Sequence, residues 1–233
     1  MRSAIVLAGG VGSRIESVAG GLPKALLDVE GRPFIEYVLD QLIDAGVQHV
    51  VIACSYKWQM IADYLGDTYR SLAIDYSVEA YPLGTGGAIK QAFDLFNIQE
   101  AFVVNADTLF KIDLAELARR HRESNAFISL ALRSVDDVSR YGEVTVRDHD
   151  KLATFNEKTR SGPGLINGGI YVVDVEIWDD SMIDVSERFS FETDMLQRYV
   201  DLGIFYGFPM DGYFIDIGIP SDLERARKEF KSN

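Results

Sequence analysis

The chain is poor in the residues that would tie it to an oxidising compartment or to a structural metal. Cys54 is the only cysteine, so no internal disulfide can form, and its place at the end of the apolar run from Val50 to Ala53 predicts a small buried thiol. The three histidines, His49, His121 and His149, lack metal-ligand spacing, so no zinc site is expected. Basic residues are also in the minority: 23 Lys and Arg stand against 36 Asp and Glu, a formal net charge of −13. No basic block appears anywhere, which argues against nucleic acid or an anionic membrane as a partner. The apolar run Ala4 to Ala8 is too short for a signal-peptide core and far too short to span a bilayer, so a cytoplasmic address is expected. Repeats, low-complexity tracts and linkers are missing, and 233 residues can bury one ample core.

What the chain does contain is organised around Ala4-Ile5-Val6-Leu7-Ala8-Gly9-Gly10-Val11-Gly12-Ser13-Arg14, followed by Leu22-Pro23-Lys24. Ile5 to Leu7 reads as a strand buried on both faces, and the glycines after it as a turn with open backbone. Main-chain N–H groups without Cβ atoms in the way can close around an anion, and Arg14 and Lys24 add full positive charges beside it. That combination points to a nucleoside triphosphate. The dinucleotide fingerprint fits worse, because Ile15 replaces its third glycine and no strand ends in an acid about 20 positions on. The Walker A pattern fails because Lys24 lies between Pro23 and Ala25. The same glycines could instead serve only as a tight strand-to-helix connection.

The rest of the first half alternates strand and helix. Phe34, Ile35, Val38, Leu39, Leu42 and Ile43 repeat with helical period after Pro33 at a first-turn position. Val47–Ala53, Ala73–Val78 and Ala101–Asn105 read as strands, and Lys57–Leu65, Ala88–Leu95 and Asp113–Glu123 as helices, the βαβ rhythm of a parallel sheet. From Ala126 the rhythm changes. The stretches 127–132, 142–147, 151–157 and 165–173 are mostly strand-like, which predicts extra strands added to one side of the sheet. Ser190 can cap a helix running to about Leu202, strands follow at 204–208 and 213–217, and Ser221-Asp222-Leu223-Glu224 has the form of a capping box. The expected architecture is a single α/β unit over residues 1–233. Its Rossmann-like, mixed but mostly parallel sheet is flanked by helices, with a nucleotide part at about 1–125 plus 204–233 and a small added β lobe at about 126–203.

Two carboxylates stand at strand ends, Asp107 just past 101–105 and Asp216 near the end of 213–217. Ligands collect at the carboxyl ends of parallel strands, so the pair could meet beside the glycine turn and hold a Mg²⁺ on the phosphates. Taken singly, Asp107 could be a helix N-cap and Asp216 a turn residue. Tyr81-Pro82-Leu83-Gly84-Thr85-Gly86-Gly87-Ala88 is a second glycine-rich loop whose backbone could pack on a flat nucleobase. Glu79 at its entrance offers acceptor oxygens that suit the adjacent N1–H and N2–H₂ donors of guanine, or is simply an acid at a strand end.

The set Leu7-Ala8-Gly9-Gly10-x-Gly12-x-Arg14, Pro23-Lys24, Gly84-Thr85-Gly86, Asn105-Ala106-Asp107, Glu157-Lys158, Asn167-Gly168-Gly169 and Asp216-Ile217-Gly218 resembles the sugar-1-phosphate nucleotidyltransferase family over essentially the whole chain. Three positions depart from its pattern: Ala25 where many members carry a second proline, Ala106 where glycine is frequent, and Ala80-Tyr81 in place of a more acidic approach to Pro82. Residues 82–88, 189–192 and 214–220 look most like those of members that transfer guanylyl groups to a heptose 1-phosphate. Guanylyltransferases for mannose 1-phosphate and uridylyltransferases for N-acetylmuramate 1-phosphate come next.

The resemblance implies a GT-A-like fold, GTP and a sugar 1-phosphate as substrates, Mg²⁺ as cofactor and a chain that acts as a monomer or homodimer. It implies that Leu7 and Ala8 belong to the nucleotide site, that Gly9, Gly10, Gly12, Ser13 and Arg14 hold the triphosphate, and that Lys24 contacts the phosphates at the reacting centre. Asp107 and Asp216 would bind the metal, while Glu79, Pro82, Gly84 and Thr85 would meet the base. Glu157, Asn167 and Gly168 would bond sugar hydroxyls, Lys158 the sugar phosphate, Gly142 would admit the ring, and Glu192 would add to the sugar site. A nucleotide-sugar-dependent glycosyltransferase would have no use for the glycine–arginine turn and Lys24, and a non-catalytic nucleotide sensor would be expected to have lost Lys24 or an aspartate.

Overall fold

A computed structural model describes residues 1–10, 15–55, 57–155 and 161–231. Among the described residues, strands run in chain order as β1 (Ser3–Leu7), β2 (Asp28–Val29), β3 (Arg32–Pro33), β4 (His49–Cys54), β5 (Thr68–Tyr69), β6 (Leu72–Val78), β7 (Glu100–Asn105), β8 (Thr108–Lys111), β9 (Ile128–Val135), β10 (Val144–Val146), β11 (Leu152–Phe155), β12 (Gly164–Asp174), β13 (Phe205–Pro209) and β14 (Tyr213–Asp216). The α-helices are α1 (Glu16–Ala19), α2 (Phe34–Asp44), α3 (Trp58–Leu65), α4 (Gly84–Phe96), α5 (Leu114–Ser124) and α6 (Pro220–Phe230).

Ten of these strands form one sheet in the order β11-β10-β12-β7-β1-β4-β6-β5, with β9 pairing both β12 and β13. Its centre is parallel: β1 lies between β4 and β7, and β4 pairs β6 in the same sense. The added strands continue this sheet, entering where β12 runs antiparallel to β7. Alternation along β1 explains the continuous apolar run. Ala4 and Val6 enter the layer under α2, α3, α5 and α6, whereas Ile5 enters the opposite layer under α4 and residues 177–196. The sheet is therefore covered on both faces, as a parallel centre requires.

Several local expectations are corrected. Helix α4 opens at Gly84, so the second glycine-rich stretch is its first turn rather than a free loop. The helix capped by Ser190 is a π-helix over Phe191–Gln197, followed by a separate 3₁₀ turn at Val200–Leu202. The capping box at Ser221 does not form: Pro220 is the first helical residue of α6, Ile219 is its N-cap and no side chain caps it. Proline with its fixed φ starts the helix one position too early for Ser221 to cap it. Pro33 is the N-cap of α2 rather than a residue of its first turn. Asp107 caps nothing; α5 is capped by Asp113, whose side chain accepts from the Glu116 N–H.

Candidate functional site

The site lies at the carboxyl end of the parallel centre. Leu7 at the end of β1 pairs with Ala53 of β4 and Asn105 of β7. Just beyond it, the Ala8 N–H donates to the Ala53 carbonyl at 2.8 Å and the Ala106 N–H to the Leu7 carbonyl at 3.1 Å. A Cβ on Gly9 would stand 2.9 Å from Glu79 Oε1 and 3.2 Å from Ser55 Oγ, whose hydroxyl already donates to the Gly9 carbonyl at 2.9 Å. Gly9 is thus small because side chains crowd it. Among the described residues nothing lies within 4 Å of a Cβ on Gly10, which borders a cavity. The cavity is about 400 Å³, and its lining includes Leu7, Gly9, Gly10, Glu79, Pro82, Gly84, Thr85, Asp107 and Glu192. It also takes in Ala53 and Ser55, which the sequence reading did not single out although the end of a parallel strand marks Ser55 by position, and Ala88 and Asn105, which that reading named within motifs without a role of their own.

Glu79 is partly withdrawn from solvent, and burial raises its carboxyl above its ordinary value while the Leu83 N–H, donating to Oε2 at 2.7 Å, opposes that rise. The glycines after it have a cause the sequence did not reveal. Cβ atoms on Gly84 and Gly86 would fall 2.4 Å from the Phe189 carbonyl oxygen and 2.1 Å from the Phe189 ring, and one on Gly87 would fall 2.6 Å from the Glu187 carbonyl oxygen. The Gly86 N–H donates to that Phe189 carbonyl at 3.0 Å, and the Phe189 N–H to Leu83 O at 2.9 Å. One side of the first turn of α4 is therefore sealed by residues 187–189, while Gly84 and Thr85 face the cavity.

Strands β8 and β14 form a separate antiparallel pair in which Thr108 faces Asp216, and the Ile217 N–H donates to the Asp107 carbonyl at 2.9 Å. This pairing sets the two aspartates side by side. Burial and then the charge of Asp107 push the Asp216 carboxyl above its ordinary value, against the pull of the Gly218 N–H at 2.7 Å and of Lys24. Lys24, in the 3₁₀ turn Lys24–Leu26 after Pro23, puts its ammonium 3.0 Å from Asp107 Oδ2. Two mutually repelling carboxylates, one partly desolvated and the other already drawing a cation, are an oxygen donor set that could hold a hard divalent ion. Among the described residues no group of three or more His, Cys, Asp or Glu side chains gathers as a metal cluster.

Asn167, Gly168 and Gly169 lie in β12 where its pairing with β9 shifts register, so this stretch is a bulge. Gly168 is confined by Phe110 and the Ala131 carbonyl, with Cβ distances of 2.5 and 2.8 Å, and Gly169 has a φ of +74°. Asn167 connects to the cavity indirectly, through Tyr171 and Glu192. Gly142, with a φ of 84°, follows Arg140 and Tyr141. These two tie its loop to the Asp216 region through an Arg140–Asp222 ion pair at 2.5 Å and a Tyr141–Phe214 edge contact at 6.0 Å. The expectations on Gly12, Ser13 and Arg14, and on Glu157 and Lys158, lie outside the described residues. Cys54 is buried, and burial pushes its thiol up to about 12, in keeping with an inert core residue. Among the described residues no helix is long and apolar enough to cross a membrane.

A mixed sheet with a parallel centre, two glycines directly after β1 and paired aspartates beside a lysine define an enzyme of nucleotidyl transfer. The chain belongs to the nucleotidyl transferase family, whose model it matches over residues 3–233. It is 41% identical over 228 residues to D-glycero-alpha-D-manno-heptose 1-phosphate guanylyltransferase of Aneurinibacillus thermoaerophilus, covering 98% of each chain. The protein of that name from Campylobacter jejuni is 40% identical, with 94% of this chain and 96% of that one covered. Among solved structures, HddC from Yersinia pseudotuberculosis complexed with GMP-PN superposes with a TM-score of 0.86 at 35% identity, covering 99% of this chain and 100% of that one.

Proposed function

We infer that the chain transfers a guanylyl group from GTP to a sugar 1-phosphate, releasing pyrophosphate and leaving a GDP-sugar, and that the sugar is D-glycero-α-D-manno-heptose. The observation that carries this reading is the convergence of the Gly9–Gly10 turn, Lys24, Asp107 and Asp216 around one cavity end. Near-full-length relatives named heptose 1-phosphate guanylyltransferases support it.

An oxygen of the sugar phosphate attacks the α-phosphorus of GTP. A new P–O bond forms there as the bond to the bridging oxygen breaks, and the electron pair leaves with pyrophosphate. The attacking oxygen is already ionised, so no protein nucleophile or base is needed. The work is alignment and neutralisation of charge. Lys24 supplies one fixed positive charge at the centre, and Arg14 and Lys158 are assigned to the triphosphate and the sugar phosphate. Gly9 and Gly10, with Gly12 and Ser13, are assigned to the triphosphate, where backbone N–H groups would cradle it. Asp107 and Asp216 would hold Mg²⁺, which when bound would supply Lewis-acid neutralisation of the phosphate oxygens. Glu79 spends Oε2 on the Leu83 N–H, which makes Oε1 the acceptor for a guanine N–H. Glu157, Asn167, Gly168 and Glu192 are assigned to the sugar, beside Gly142.

The test is pyrophosphate release with Mg²⁺ from GTP, ATP, CTP, UTP and dTTP, each paired with heptose 1-phosphate and with mannose 1-phosphate, products identified by mass. Release confined to GTP with the heptose is expected. Preference for UTP or CTP would remove the role given to Glu79 while leaving the reaction class standing, and release with mannose 1-phosphate alone would move the acceptor assignment.

A further inference from the structure

Tyr171 has no exposed surface, and its ring meets Phe191 edge-on at 5.2 Å. By position it is a core residue of β12, yet its hydroxyl lies between two polar groups of the site. Asn167 Nδ2 donates to it at 2.6 Å, and it donates to Glu192 Oε1 at 3.3 Å. The other carboxylate oxygen of Glu192 accepts from Thr85 Oγ at 2.8 Å and from Ser190 Oγ at 3.2 Å. Thr85 Oγ in turn accepts from the Phe191 N–H at 2.8 Å. A continuous run of hydrogen bonds thus joins the bulge of β12 to the first turn of α4.

The polarity of this run is forced. A carboxylate can only accept, so the single phenolic proton must go to Glu192. The same oxygen must then accept from Asn167, and only the amide NH₂ can give that bond. Were the amide turned over, its carbonyl would face a hydroxyl with no proton left to offer. The Gly169 N–H, donating to Asn167 Oδ1 at 3.0 Å, agrees with the same orientation. Burial, and next the Glu192 charge, hold the phenol well above its ordinary value, so the proton stays in place across any working pH.

We propose that Tyr171 is a positioning residue that sets the amide of Asn167 toward the sugar and couples it, through Glu192, to Thr85 at the nucleotide cavity. The proposal rests on the functional reading above and deepens it. Tyr171→Phe keeps the ring and removes both hydrogen bonds, so the Asn167 amide is left to the Gly169 N–H alone and Glu192 loses one of its anchors. The KM for the sugar 1-phosphate should rise about tenfold, what losing about 1.4 kcal/mol of hydrogen bonding amounts to. The KM for GTP should rise by less, about two- to threefold, because Thr85 feels the change only through Glu192 and keeps its bond from the Phe191 N–H, and kcat should stay within about threefold because the phosphate-binding groups are untouched. Asn167→Ala should raise the sugar KM similarly, and the double variant should be no worse than either single one, since both remove one coupled unit.

The experiment is steady-state kinetics on wild type, Tyr171→Phe, Asn167→Ala and the double variant, with thermal unfolding of each. Should Tyr171→Phe melt near the assay temperature, the same kinetics are read for all four proteins at a lower temperature where each is folded, and the selective rise in sugar KM is expected there too. A residue that merely fills the core would lower the unfolding temperature and leave both KM values where they are, and that result overturns the proposal. So does a double variant whose losses multiply. Wild type that neither binds nor turns over any sugar 1-phosphate would remove the functional reading itself, a result distinct from an active wild type with an unmoved Tyr171→Phe.

Discussion

The ammonium of Lys24 rests 3.0 Å from Asp107 Oδ2, joining a turn after the first strand to a loop that follows the seventh. Both side chains are partly open, at 15% and 27% exposure, so the pair is worth no more than about 1 kcal/mol to the fold. Its proposed value is chemical: the reaction inferred above assigns Lys24 to the phosphates, and Asp107 fixes the position of its ammonium. Replacing Lys24 with Met, or Asp107 with Asn, should cut pyrophosphate release by about 100-fold or more while shifting the unfolding temperature by only a few degrees. Steady-state assays beside thermal melts check both halves of that expectation. Near-full turnover in either variant would take the pair out of the reaction.

Gly86 and Gly84 should fail differently. Alanine at 86 drives a methyl into the Phe189 ring, a side chain that can be trimmed, whereas at 84 it meets the Phe189 carbonyl and a φ of +76°. Gly86→Ala should cost about 1–3 kcal/mol by overpacking, and Phe189→Leu added to it should restore part of the loss. Gly84→Ala should gain nothing from that second change. Urea unfolding of the four variants separates a ring clash from a backbone one.

His121 is buried with Nδ1 2.8 Å from Ser129 Oγ, and burial lowers its ring below the ordinary histidine value, outweighing the opposite pull of Glu100 and Asp174. The unfolded chain therefore binds this proton more readily than the folded one. The histidine's contribution is fully present above about pH 6.5 and is lost as the pH falls from there toward the lower folded value. Wild type should lose stability relative to His121→Asn between pH 7.5 and 5.5, measured as the difference in urea midpoints. A constant difference would mean that His121 does not titrate in this range.

Asp222 in α6 is 8% exposed and carries its ion pair with Arg140 at 2.5 Å, while Arg225 stands at 4.0 Å. Arg140→Met leaves a largely buried carboxylate short of its main partner. It should cost about 1–3 kcal/mol, less than a fully buried pair because Arg140 is half exposed. Adding Asp222→Asn should recover much of the loss. The loop leading to Gly142 depends on this pair, so the single variant should also weaken sugar 1-phosphate binding, readable as a raised KM.

Much of the molecule follows from local pattern alone. The unbroken apolar run of β1 announces burial on both faces, the alternation of 2.0 and 3.6 periods announces a parallel α/β centre, and glycines and acids after strands mark where a ligand collects. Spacing of that kind is short-range and survives in a bare string of letters. What the string could not show are relations between distant segments. Asp216 stands beside Asp107 because β14 pairs with β8, and Lys24 reaches the same point only after the chain has wound through the sheet. Gly84, Gly86 and Gly87 read as an open loop, yet Phe189 and Glu187, far along the chain, are what forbid a side chain there. Ser221 had the letters of a capping box, but Pro220 opened the helix before it. Tyr171 had the signature of a core strand and nothing more; its hydroxyl acquires a role because the fold brings Asn167 and Glu192 to either side of it. Periodicity determines which face of an element is apolar, while only packing decides which elements share that face and which polar groups they bring together.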